Sequence, residues 1–166
     1  MADSKRWFIP LLIGLALPLV SFLTWRHFTA VNAHLVKQAH VLGVDPNDLQ
    51  FVWGLNGKEE ISGSDWTRLR TLTQNQNPEI SFQALAAVGG LEHSQYRVEA
   101  IQTARPLLHA TDSDRRNMAT IALWRLGAPD WREVAQEMQN DPDSQVRATA
   151  IEVMKRKAKR PGNGGS

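Results

Sequence analysis

The stretch QNDPDSQVRATAIEVMKR, residues 139–156, is echoed upstream by QNQNPEISFQALAAV, residues 74–88. With the prolines aligned, Pro78-Glu79-Ile80-Ser81-Phe82-Gln83-Ala84-Leu85-Ala86 faces Pro142-Asp143-Ser144-Gln145-Val146-Arg147-Ala148-Thr149-Ala150, 64 residues on. The shared pattern is proline, acid, two spacers, apolar, Gln or Arg, Ala, any residue, Ala. It extends upstream, where Asp65-Trp66 and Asp130-Trp131 precede the two prolines with Leu69 facing Val134. A middle copy, Asp112-Ser113-Asp114-Arg115-Arg116-Asn117-Met118-Ala119, sets the elementary period at about 31 to 33 residues, the spacing of stacked helical hairpins.

Each copy reads as a helix start. Asp112 and Asp143 stand where a carboxylate caps free N–H groups and favours the positive end of the helix dipole. Arg116 and Arg147 follow at i+4, a spacing that predicts an aspartate–arginine pair on one face. Ala84, Ala86, Ala119, Ala122, Ala148 and Ala150 are small enough for close helix approach, while Leu85, Val88, Met118, Ile121, Val146 and Val153 supply apolar surface. Gly127-Ala128-Pro129-Asp130 predicts a helix end followed by a helix start, with Gly127 left-handed. The intervening helices are expected over 96–108 and 131–138, and no strand alternation is convincing.

At these residues the chain resembles the HEAT-like repeat family, including the subtype of phycobilisome lyases, with its D-x-x-V-R-x-x-A core and leucine-glycine-acidic turn. The core corresponds to Asp143-Ser144-Gln145-Val146-Arg147-Ala148-Thr149-Ala150, and the turn to Leu126-Gly127-Ala128-Pro129-Asp130. The resemblance covers about residues 64–157; in the first copy, at Pro78, Gln83 replaces the arginine and Gly89-Gly90 interrupts the helix end. It implies a scaffold for protein–protein contact, and fold more firmly than activity.

Outside the repeats, the sequence from Trp7 to Trp25 is 19 residues without a charge, about 28 Å as a helix and close to a bilayer's hydrocarbon thickness. Tryptophans bracket it, with Lys5, Arg6 and Arg26 just outside. It is expected to be a retained signal-anchor with the soluble domain on the non-cytoplasmic side; a cleaved signal peptide ending near Val31-Asn32-Ala33 is the alternative. Val31, Leu35, Ala39 and Leu42 continue at helical spacing, predicting a stalk helix that stops at Gly43, and Asp45-Pro46 reads as a capped helix start. The glycine-rich 56–64 is expected to be a hinge.

The 166 residues hold no cysteine, so disulfides and thiolate chemistry are excluded. Lys155, Arg156, Lys157, Lys159 and Arg160 supply five of the 19 cations; without them 14 cations face 17 anions. Nucleic acid is therefore not an expected partner, and the basic tail reads as a solvated helix end or a contact for anionic lipid. Phosphate-binding loops, dinucleotide fingerprints, zinc-protease motifs and nucleophile elbows are all missing from the sequence. His27 and His34 lack a third ligand, and Glu92-His93 is a single pair; neither reads as a metal site, and no cofactor is expected.

The expectation is thus an all-α chain: a short HEAT-like solenoid of about three helix pairs behind one transmembrane helix and a stalk. The segments are an anchor (1–27), stalk and linker (28–63), repeat domain (64–157) and flexible tail (158–166). The expected function is that of a membrane-anchored, non-enzymatic interaction scaffold or accessory subunit. A protein partner, itself membrane-associated, is expected at the Trp66, Arg68 and Arg70 end. The alternative is a chaperone- or lyase-like accessory presenting a client or chromophore in a pocket of Trp66, Trp124 and Trp131.

Overall fold

The structure, a computed structural model, describes residues 33–156, and these are helical without a strand. The described residues open in α1, which runs to residue 42. There follow α2 (Pro46–Leu55), α3 (Gly63–Leu72), α4 (Pro78–Val88), α5 (Arg97–Ala104) with a 3₁₀ extension (Arg105–His109), α6 (Ser113–Arg125), α7 (Trp131–Met138) and α8 (Ser144–Lys155). Helix 96–108 was expected in one piece. Pro106 lacks the N–H that would continue the α-helical ladder, and the chain tightens into the 3₁₀ turn one residue earlier.

The even-numbered helices start alike. Asp45, Asn77, Asp112 and Asp143 are their N-caps, each accepting from a backbone N–H two or three residues on. The seventh residue after each cap, Val52, Ala84, Ala119 and Ala150, is fully buried. The tenth, Leu55, Ala87, Ala122 and Val153, is at most 5 % exposed. They are buried in helices that pack in succession, α2 on α4, α4 on α6 and α6 on α8. The odd helices lie beside them, α3 against α4, α5 against α6, and α7 against both α6 and α8.

The aligned prolines mislead by two residues. Pro78 is the first residue of α4, whereas Pro142 precedes the cap Asp143. The residue equivalent to Asp143 is therefore Asn77, and Ala84 matches Ala150. Ala148, expected at a close helix contact, is exposed. Ser81, not Gln83, occupies the arginine position, and its hydroxyl donates to the carbonyl of Thr73 at 2.6 Å.

The predicted i+4 aspartate–arginine pairs are replaced by bonds to loops. Arg147 donates to the carbonyls of Asp141 and Pro142 at 2.7 and 2.8 Å. Arg116 donates to the carbonyls of Ala110 and Thr111. Its Nε and Nη2 also grip both carboxylate oxygens of Asp141, each at 2.8 Å. Its neighbour Arg115 reaches the other way, to the carbonyl of Asn75. A cap carboxylate already engaged with N–H groups is a poor target for an i+4 guanidinium, while loop carbonyls otherwise have no partner. Two adjacent arginines thus clamp the loops on either side of α6.

For the described residues the transmembrane reading is corrected: no helix among them is long and apolar enough to cross a membrane. The run between Trp7 and Trp25, and the basic tail beyond 156, lie outside those residues. The segment expected as stalk and linker joins the packed core, because α2 faces α4 with Leu49 and Val52 fully buried. Asn77 ties the end of α1 to the start of α4, its amide donating to the carbonyls of Leu42 and Gly43 at 3.2 Å.

Candidate functional site

The expected docking end is occupied from within. Trp66, Leu69 and Leu72 are buried, and the Trp66 ring stacks on Tyr96 at 5.5 Å. Arg68 donates to the Asp48 carboxylate at 2.8 Å and to the carbonyl of Asn47, with its guanidinium 4.3 Å from the centre of the Phe51 ring. It fastens α3 to α2 across the expected hinge. Arg70 is exposed.

The three tryptophans proposed for a pocket have separate surroundings. Trp131 is buried beneath the Arg132 guanidinium, 4.8 Å from its ring centre. Of the three, Trp124 lines a hollow of substantial size. It belongs to a groove of about 400 Å3 between α6 and α8, walled by Ile121, Trp124 and Arg125 on one side and Gln145, Ala148, Thr149, Glu152, Val153 and Arg156 on the other. Trp124, Arg125 and Arg156 also line an adjoining hollow of about 330 Å3 that extends beneath Gly89, Gly90 and Glu92.

The sequence builds this groove through three local features. Gly89 ends α4 where a β-carbon would stand 3.2 Å from the Ala122 backbone, so a glycine lets α4 and α6 close together while adding no wall. Ala148 and Thr149 keep the α8 side low. Leu126 ends α6 and Gly127, at φ 59°, turns the chain away so that Arg125 remains at the rim.

The charges of the groove are unevenly committed. Glu152 accepts from Arg156 Nε at 3.0 Å, and Glu92 lies 3.3 Å from His93 Nε2. The Arg156 guanidinium also stands 5.7 Å from the centre of the Trp124 ring. Arg125 is exposed and forms no ion pair among the described residues. Trp124 Nε1 is buried with no hydrogen-bond partner among the described residues. What the groove can do is bind: it offers a half-buried indole, aliphatic walls and cations at one rim.

The titratable groups with resolved shifts lie elsewhere. Asp141 is held below the usual carboxylate range by the hydrogen bond from Arg116, against the opposing effect of burial. Asp130 is lowered by Arg105 in the same way. Both pairs join loops to neighbouring helices. His34 shares a hollow with Lys37 and Glu79, and His27 lies outside the described residues. Among the described residues no group of three or more His, Asp or Glu is placed to hold a metal ion.

The repeat-marking residues Pro78, Asp112, Arg116, Asp143, Val146 and Arg147 thus serve the helix stack, and Ala148 lines the groove. Sequence reasoning weighed Trp124 only with Trp66 and Trp131 and passed over Arg125; the i, i+3, i+4 set Ile121, Trp124, Arg125 on one face of α6 was the available signal. Compared with protein-family models, curated proteins and solved structures, the chain matches none significantly.

Proposed function

We propose that the chain is a non-enzymatic protein-interaction module, a short HEAT-like α-solenoid whose second helices form a continuous row and whose α6–α8 groove receives a segment of a partner protein. The recurrence of one cap and one buried small or β-branched residue in α2, α4, α6 and α8, with a loop-gripping position in the last three, carries this reading. Stacked hairpins of this kind gain stability from nearest neighbours and leave an extended surface for contact. The resemblance to HEAT-like repeats points the same way.

Photo-cross-linking in the native cellular extract tests it. A photoreactive residue at position 148, in the groove, is expected to give one defined protein adduct, and the same group at exposed position 99, on α5, is expected to give none. Absence of an adduct from 148, or the same adduct from both positions, contradicts the reading.

A further inference from the structure

We propose that the α6–α8 groove selects an acidic segment, its carboxylates meeting Arg125 and Arg156 and an apolar side chain resting on Trp124. The inference rests on the reading of the chain as an interaction module and adds the chemistry of the partner. Two observations favour acid. Glu152 in the groove and Glu92 in the adjoining hollow already have basic neighbours within 3.0 and 3.3 Å. Arg125 at the rim is exposed and forms no ion pair among the described residues.

Wall chemistry favours a peptide over a nucleic acid or a lipid surface. The groove, of about 400 Å3, has Ile121, Ala148 and Val153 in its walls. A phosphate-tracking surface needs a row of cations, whereas this site sets two beside an indole. An extended strand that alternates acidic and apolar residues presents one kind to the rim and the other to the floor.

The test is fluorescence anisotropy with the full chain and a labelled dodecapeptide alternating Glu with Leu and Phe. The comparison peptide has Lys at every Glu, and vesicles of phosphatidylglycerol in phosphatidylcholine form the third arm. The acidic peptide is expected to bind and the lysine peptide not, with affinity falling as salt rises. Arg125→Glu is expected to weaken binding roughly tenfold, because it replaces an attraction by a repulsion. Ala148→Trp, which fills the groove from an exposed position, is expected to abolish it, and Lys58→Glu, on the loop after α2, to leave it unchanged. Equal binding of both peptides, indifference to Arg125→Glu, or binding to vesicles alone overturns the proposal. A position-148 adduct that persists in an Arg125→Glu chain, without acidic-peptide binding, rejects the acidic partner only; absence of any position-148 adduct when Arg125 is intact rejects the module reading beneath it.

Discussion

Arg116 and Asp141 form the most buried ion pair among the described residues, with side chains 12 % and 4 % exposed. Removing one partner of such a pair leaves the other desolvated and uncompensated, so Arg116→Ala should cost about 3 kcal/mol. Arg105 and Asp130 form the control: the pair joins the 3₁₀ turn to the loop before α7, but its side chains are 44 % and 38 % exposed. Solvent screens it, and Arg105→Ala should cost about 0.5 kcal/mol. Urea unfolding of the two variants checks the ranking. The pH dependence follows with a definite sign. Because Asp141 is lowered in the folded chain by Arg116, its contribution is present above the unfolded carboxylate value of about 3.9 and is lost as pH falls through the folded value. The urea midpoint should drop on acidification below about pH 4, and drop less steeply in Arg116→Ala.

At the scale of the helix, packing is decided by which alanine faces the neighbour. Ala150 is fully buried in α8, where α8 meets α6, so Ala150→Leu should cost about 1–3 kcal/mol through overpacking. Ala148→Leu points into the groove and should change stability by no more than about 0.5 kcal/mol. Equal effects of the two substitutions on the urea midpoint would put α8 in another register. The sequence showed that a repeat exists and that Asp112 and Asp143 start helices, because carboxylate caps and i+4 apolar spacing are local signals. The phase of the first copy was not legible from prolines. A proline fits both at the first helical position, as Pro78 does, and just outside the cap, as Pro142 does. Burial three-dimensionally pairs Ala84 with Ala150, and no local signal carries that. The arginine bonds escaped for the same reason: Arg116 reaches a loop 25 residues away.

For the whole molecule, the main revision is that packing begins before residue 64. Asp45-Pro46 was legible as a helix start, yet the polar 56–64 stretch and the stalk reading hid that α2 occupies the same place in the row as α4, α6 and α8. Leu49→Ala measures this directly. Buried against α4, Leu49 should cost about 3 kcal/mol when truncated, whereas a leucine on a solvated stalk would cost almost nothing.

The groove was illegible as a site because its walls come from α6 and α8 and its end from the Gly89-Gly90 turn, elements joined only by folding. The claim that this row of helices presents a binding groove for a protein segment is tested most directly by nuclear magnetic resonance on the isotope-labelled full chain. The acidic dodecapeptide should shift the Trp124 indole N–H and the backbone amides of Arg125, Thr149, Glu152 and Arg156, leaving the indoles of Trp66 and Trp131 in place. Shifts centred on Trp66, Trp131 or α3, with α6 and α8 silent, would contradict it.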